Sequence, residues 1–205
     1  MEYIPFSYDV LVYRSIFAIG AVVAVRLAFG AIQRRRPLAG LHRQLIGVTV
    51  GVACAFAAYT LYVLMRQTSE NSAEAVCRAN LQVLGRALLQ YGAATGKYPP
   101  ALHWQRDITR YLTPEEANRV FHCPAAHGSG GYAYNVALAG APLTDIPAPS
   151  RVLALFDSDT DRPDAAGSPA DVAWSRHVGR ALCAMADGHV QPCRREQTAD
   201  LVRAH

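Results

Sequence analysis

Four aspartates follow one of the most apolar stretches of the chain, and they have the residue type and spacing of metal ligands: Asp157, Asp159, Asp161 and Asp164. Carboxylates at alternate positions resemble the start of a calcium-binding loop, which makes these residues candidate ligands of a structural calcium ion. The loop is incomplete, because Arg162 replaces the turn glycine and Ser168 stands where a bidentate glutamate is needed. We therefore favour a solvated acidic loop without metal, with a calcium site as the alternative.

Four cysteines lie beyond residue 66, and an even number favours disulfide bonds in an oxidising compartment. Cys183 and Cys193 flank Asp187-Gly188, a dipeptide typical of a type I′ hairpin turn. A three-residue loop that begins at Asp187 would place these two cysteines opposite each other. That leaves Cys77 to pair with Cys123, although three connectivities are open in principle.

A metal site is the alternative use of one of these cysteines. His122, Cys123 and His127 are close in sequence, but a second close cysteine pair is missing. The fifth cysteine, Cys54, lies in an apolar segment and is expected to be an inert small residue.

The sequence contains no common catalytic motif. A nucleophile elbow, a P-loop, a dinucleotide fingerprint, an H-E-x-x-H zinc motif and a C-x-x-C-H haem motif are all missing. We therefore expect a binding or structural protein, with no enzymatic activity, no small-molecule substrate and no cofactor beyond the calcium ion considered above.

The chain also carries a segment suited to a lipid bilayer. From Leu45 to Met65, twenty-one residues pass without a charged side chain. As a helix this run is long enough to cross a hydrocarbon core of about 30 Å. Residues 1–66 are therefore predicted to be a membrane anchor, and residues 67–205 a separate domain.

A second span is predicted upstream, from Val10 to Ile32, interrupted by Arg14 and Arg26. The stems of these arginines can lie along the helix while their charged heads reach the membrane interface. The alternatives are a soluble amphipathic helix and a cleaved signal peptide. The connection 33–44 holds four arginines, which favours a cytoplasmic location for this loop. Both termini and the C-terminal domain would then lie on the periplasmic side of the inner membrane.

Charge counts exclude one class of partner. Residues 1–65 hold six arginines and two acidic residues, whereas residues 66–205 hold fourteen basic and fourteen acidic residues. Because the C-terminal domain is neutral overall, we expect no nucleic-acid binding.

Small residues form two rows at four-residue spacing in the predicted spans, and such rows let membrane helices approach closely. They are Gly20, Ala24 and Ala28 in the first span, and Gly47, Gly51 and Ala55 in the second. The two rows could face each other within one hairpin or face the helices of a partner protein.

Beyond the anchor, the pattern predicts one long helix followed by short strands. Apolar residues recur at helical spacing through Glu70–Tyr91, while Tyr132–Leu138, Arg151–Phe156, Ala181–Ala186 and His189–Arg194 are typical of strands. We therefore predict an α+β fold in which a helix continuous with the second span packs on a small antiparallel sheet.

Six stretches of the domain, spread over about residues 75–191, resemble the pseudopilin-like proteins with the prepilin-type H-X9-DG signature. In chain order they are Cys77–Tyr91, Tyr98-Pro99-Pro100, Phe121-His122-Cys123-Pro124, Tyr132–Asn135, Phe156-Asp157, and His177 separated by nine residues from Asp187-Gly188. The resemblance implies a pilin-type fold, in which a half-membrane, half-soluble helix packs on the sheet. Some pseudopilins bind calcium near the acidic segment.

Within this resemblance, His177 and Asp187 form the signature pair, and Gly188 supplies a turn. We expect His177 to hydrogen-bond the backbone or Asp187 and so hold the hairpin down; a ligand or catalytic role is the alternative. The processing signal of a pilin precursor is missing, because Leu45 stands five residues after Gly40, where pilins have a glutamate. We therefore expect a pseudopilin-like domain attached to a membrane anchor that differs from that of pilins.

Three functions are compatible with these features. The first is a non-catalytic membrane subunit that docks onto and stabilises a larger, energy-transducing membrane complex, in contact with its subunits and with lipid. The second is an accessory of a type II secretion or type IV pilus system. The third is a calcium-binding periplasmic module.

Overall fold

A computed structural model describes residues 39–126, 130–160 and 162–195, together with Arg26 and Gly30, and gives the backbone alone for 39–45. Arg26 and Gly30 are helical. The rest of the predicted first span, with Gly20, Ala24 and Ala28, and the segment 31–38 lie outside the described residues. The chain divides into two compact units, Met1–Leu64 and Met65–His205, hereafter the N-terminal and C-terminal units.

One long helix, α1, spans Ala39–Thr95, which makes residues 39–44 of the predicted basic loop helical. Its apolar first part is exposed, as the side chains of Val48, Val52 and Leu61 show. From Ile46 onward, α1 is long and apolar enough to cross a membrane, and it is the one helix of the described residues with that property.

The C-terminal unit adds two short helices and five strands to the end of α1. The helices are α2, Trp104–Thr109, and α3, Pro114–Ala117. The strands are β1, Tyr132–Asn135; β2, Leu153–Asp157; β3, Ala166–Gly167; β4, Ala181–Met185; and β5, Val190–Cys193. Short 3-10 turns occur at Ala101–His103, Val136–Leu138, Leu143–Asp145, Pro149–Arg151 and Pro169–Asp171.

The strands form one sheet in the order β3-β1-β2-β4-β5. Four neighbouring strands pair antiparallel as predicted, but β3 pairs parallel to β1, so the sheet is mixed. The two-residue β3 was missed, because so short a strand has no alternating pattern of its own. The α+β class is confirmed.

The amphipathic half of α1 packs on one face of the sheet. Leu81, Leu84 and Leu88 are buried in one core cluster with Tyr132 and Tyr134 of β1. A second cluster covers the opposite face, and it contains Phe156, Cys183 and Cys193 among others. The predicted apolar stripe of α1 is therefore confirmed as the surface that meets the sheet.

A close approach of glycines joins α1 to the β4–β5 hairpin. A Cβ atom built on Gly85 would lie 3.2 Å from the backbone oxygen of Gly188. Gly188 itself has a φ of +87°, and a Cβ there would lie 2.7 Å from Cδ1 of Leu89. Both glycines belong to the stretches that resemble pseudopilin-like proteins, and here their role is to let helix and hairpin touch.

Candidate functional site

A buried disulfide joins α1 to the loop before β1. Cys77 and Cys123 are bonded, 46 residues apart in sequence, with their Cα atoms 5.3 Å apart. The bond confirms this predicted pair. Asn80, one turn beyond Cys77 on α1, holds the loop in place, because its Nδ2 donates to the backbone oxygen of His122 at 2.9 Å.

Next to the disulfide lies a buried pair formed by His177 and Asp157. Nε2 of His177 is 3.1 Å from Oδ2 of Asp157, and both side chains are almost fully removed from solvent. The same carboxylate oxygen accepts a hydrogen bond of 2.7 Å from the backbone N–H of Leu182 in β4. The pair therefore ties the end of β2 to the start of β4.

A tight turn after His177 presents its ring to the interior. His177 and Arg180 exchange two backbone hydrogen bonds, of 2.9 and 3.3 Å, around the two-residue loop Val178-Gly179. Both loop residues have positive φ, +51° for Val178 and +81° for Gly179, which a type I′ turn requires. A β-branched residue in this region is strained, so the surrounding packing must hold the turn in place.

The disulfide and the buried pair form one cluster, which we call the Cys–His–Asp cluster: Cys77, Cys123, Asp157 and His177. Sγ of Cys123 lies 3.9 Å from Nε2 of His177. The ligand atoms of Cys77, Cys123 and His177 all lie within 4.8 Å of one another. Among the described residues, these three are the potential metal ligands that lie close enough together to hold one ion.

One atom of the cluster lacks a partner. Among the described residues, Oδ1 of Asp157 is fully buried and accepts no hydrogen bond. Such an atom is uncommon, because buried polar groups are nearly always hydrogen-bonded.

A cavity of about 260 Å³ lies beside the cluster. Ser158 and Arg176, which line it, directly follow Asp157 and precede His177 in the chain. Gly131 lines it as well, and a Cβ on Gly131 would lie 2.7 Å from Cβ of Cys123. Arg176 donates to the backbone oxygen of Ser158 at 2.6 Å and to Oδ1 of Asp159 at 2.7 Å.

The second predicted disulfide is not formed, since Cys183 and Cys193 are buried free thiols. The hairpin loop comprises residues 186–188, one residue earlier than predicted, and Ala184 pairs with Val190. This register places Cys183 opposite Gln191, so the two cysteines are diagonal neighbours. Burial, with a hydrogen bond to Cys193 as the next cause, raises the pKa of the Cys183 thiol well above its usual value.

The predicted type I′ turn at Asp187-Gly188 is also wrong, because only Gly188 has a positive φ. Asp187 pairs with its neighbour His189, whose Nδ1 is 2.6 Å from Oδ1 of the aspartate. The carboxylate that contacts His177 is therefore Asp157, and the signature aspartate closes its own hairpin loop.

The four aspartates of the predicted calcium loop have different surroundings. Asp157 is buried in the cluster, Asp159 is exposed and paired with Arg176, and Asp164 accepts a hydrogen bond of 2.8 Å from the backbone N–H of Gln105. Asp161 lies outside the described residues. The calcium site remains a prediction.

The alternative metal set centred on Cys123 is only partly described. Nδ1 of His122 lies 3.2 Å from the backbone oxygen of Gly130, and His127 lies outside the described residues. Cys123 is committed to the disulfide with Cys77.

Sequence reasoning missed two contacts of the C-terminal unit. The first is the contact of Asp157 with His177. The sequence pattern places Asp157 in an acidic loop, although its position at the end of a buried strand is a signal for a buried carboxylate. Glu74 and Arg180 form an ion pair of 2.8 Å between α1 and the start of β4. No sequence signal connects these two residues, which are 106 positions apart.

Comparison of the chain with protein families, with curated proteins and with solved structures finds no match. The resemblance to pseudopilin-like proteins stays a prediction that rests on its motifs.

Proposed function

We propose that this protein is a membrane-anchored, non-catalytic subunit whose C-terminal unit docks onto a larger membrane protein complex and stabilises it. The observation that carries the proposal is the exposed apolar part of α1. Side chains from Ile46 to Met65 would leave a large apolar surface in water, and a lipid bilayer is the environment that matches it.

Small residues on α1 support a role in assembly. A Cβ atom added to Gly47 or to Gly51 would meet nothing within 4 Å. Among the described residues, nothing covers this face of α1, and the small-residue row with Ala55 would suit a neighbouring helix there. We propose that the partner helices belong to the complex.

The buried site supports a structural role rather than catalysis. His177 and Asp157 have the residue types of a general acid–base pair, but both are buried, and the neighbouring sulfurs are bonded to each other. The ring is therefore not placed to contact a substrate outside the fold. We propose that the cluster holds the C-terminal unit together.

The proposed topology places two spans in the inner membrane, with the arginine-rich connection in the cytoplasm and the C-terminal unit in the periplasm. Lys97 is the only lysine of the chain and is exposed. An impermeant amine reagent should therefore label Lys97 in whole cells with a permeable outer membrane. Labelling that requires disruption of the inner membrane would overturn this topology.

Anchoring is tested with paired valine and leucine substitutions. Val48→Arg with Val52→Arg places two charges in the apolar part of α1, at about 3 kcal/mol each, and should stop this span from inserting, so that Lys97 is no longer labelled in whole cells. The control, Leu102→Arg with Val136→Arg, alters two exposed apolar residues of the C-terminal unit. It should leave the labelling of Lys97 in whole cells unchanged. Equal behaviour of the two double variants would contradict the anchor.

Docking is tested by purification in a mild detergent. The protein should bring down stoichiometric membrane partners, and Gly47→Leu with Gly51→Leu should release them while the chain stays in the membrane. Recovery of the unaltered protein as a free monomer would refute the docking role. Recovery with pilus-assembly proteins would favour the secretion accessory instead.

A further inference from the structure

The Cys–His–Asp cluster has the donor atoms of a zinc site. Its members come from four separate parts of the C-terminal unit: Cys77 from α1, Cys123 from the loop before β1, Asp157 from the end of β2, and His177 from the turn before β4. Two thiolates, one imidazole and one carboxylate form a set that suits tetrahedral zinc.

The spacing of the donor atoms fits such a site. Zinc–ligand bonds of about 2.0–2.3 Å place the donors of a tetrahedral site about 3.3–3.8 Å apart. Nε2 of His177 lies 3.9 Å from Sγ of Cys123 and 3.1 Å from Oδ2 of Asp157. The ligand atoms of Cys77, Cys123 and His177 all lie within 4.8 Å of one another, and the two sulfurs can separate to this spacing once the bond between them is broken.

The unpartnered oxygen of Asp157 is an independent observation that indicates a ligand. His177 and Leu182 both approach Oδ2, and Oδ1 is buried with no hydrogen bond among the described residues. A carboxylate that only held His177 and β4 in place would leave this oxygen unsatisfied at a cost in stability. A cation at the cluster would satisfy it.

We infer that Cys77, Cys123, His177 and Asp157 form a zinc-binding site that becomes available when the disulfide is reduced. A thiol reductant supplies two electrons and two protons, breaks the bond between the two sulfurs, and is itself oxidised to a disulfide. Zn²⁺ then binds the two sulfurs and displaces both thiol protons to solvent. Disulfide and zinc exclude each other, because they use the same two sulfurs.

The neighbouring cavity offers a route for the ion. Its walls include Ser158 and Arg176, next to two of the ligands, and Gly131, which contacts Cys123. Asp159, which also lines the cavity, is largely exposed and adds a carboxylate to the lining.

The oxidised and the zinc-bound states both cross-link α1 to the loop before β1. In the oxidised chain the disulfide joins α1 to the loop before β1. In the reduced chain zinc would join these two to the end of β2 and the turn before β4. The C-terminal unit therefore keeps a covalent or coordinate cross-link across a change of redox conditions.

The test uses the full chain, purified in detergent, with Co²⁺ as a spectroscopic probe for Zn²⁺. After reduction with a phosphine, one equivalent of Co²⁺ should produce the visible and sulfur-to-metal absorption bands of tetrahedral thiolate coordination. Zn²⁺ should then bleach these bands at one equivalent. The oxidised chain should produce none. Zn²⁺ should also raise the melting temperature of the reduced chain.

Variants assign the ligands. Asp157→Asn and His177→Gln should each weaken zinc binding at least about 10-fold, and His177→Cys should restore it with stronger sulfur-to-metal bands. Cys183→Ala with Cys193→Ala removes the other buried thiols and should leave the Co²⁺ spectrum unchanged. The rescue by His177→Cys separates a lost ligand from a lost fold.

Three results would overturn the inference. One is a reduced chain that produces no Co²⁺ bands. Another is bands that survive Cys77→Ala or are lost with Cys183→Ala and Cys193→Ala, because the metal would then belong to the other thiol pair. The last is a His177→Cys variant that folds in the oxidised state and binds no metal after reduction.

Discussion

Reduction of the Cys77–Cys123 bond in the presence of a metal chelator should destabilise the C-terminal unit by about 4 kcal/mol. The bond closes a loop with a sequence separation of 46 residues. For such a loop the chain-entropy treatment removes about 13.5 cal/mol/K from the unfolded state, which is about 4 kcal/mol at 25 °C. This is a large part of the stability of a typical domain.

Replacement of both cysteines by alanine should cost more than reduction. Both sulfurs are fully buried, so their removal also leaves unfilled volume, which adds about 1–2 kcal/mol. The order of stability should be the oxidised chain, then the reduced chain, then Cys77→Ala with Cys123→Ala.

Urea unfolding followed by tryptophan fluorescence measures this order. Both tryptophans, Trp104 and Trp174, lie in the C-terminal unit, and Trp104 is fully buried. Cys54→Ala is the matched control, because it removes an exposed thiol that closes no loop, and its midpoint should not move. If the oxidised and reduced chains unfold at the same urea concentration, the loop-closure argument is refuted.

Three further predictions concern the hairpin, the tyrosines and the thiols. In urea unfolding, Gly188→Ala should destabilise the chain by about 1–2 kcal/mol more than Gly140→Ala. Both glycines have a positive φ, but only a Cβ at 188 meets another side chain. Equal losses of stability would contradict the close packing of hairpin and helix. Burial raises the pKa of the hydroxyls of Tyr98, Tyr132 and Tyr134, so the folded state holds these protons more tightly. The stability present below about pH 10 should therefore fall as the pH rises above it. Ionisation of these three tyrosines at about pH 10 with the fold intact would speak against this. Unfolded but unreduced protein should react with three maleimides, at Cys54, Cys183 and Cys193, whereas one maleimide would mean that a second disulfide exists.

Features that depend on near neighbours in the chain were predicted well. Thr113-Pro114-Glu115-Glu116 has the residue pattern of a capping box, and the structure forms it, with Pro114 at the start of α3 and Glu116 bonded back to the Thr113 backbone. The apolar stripe of α1 and the four longer strands were found, because helical and alternating periodicities act over a few residues.

Strand register was predicted less well. One residue of difference in the β4–β5 loop moved Cys183 from opposite Cys193 to opposite Gln191. Register depends on packing against the rest of the sheet, and a residue-type signal such as Asp187-Gly188 allows more than one loop.

The sequence by itself determined that the chain has an apolar segment long enough for a bilayer, an α+β domain with a long helix, and cysteines suited to a cross-link. Only the tertiary structure decided which side chains share a site. Asp157 and His177 meet because β2 and β4 are neighbours in the sheet and a strained turn at Val178-Gly179 directs the ring inward. Such a contact depends on the packing of distant segments, which local patterns do not encode.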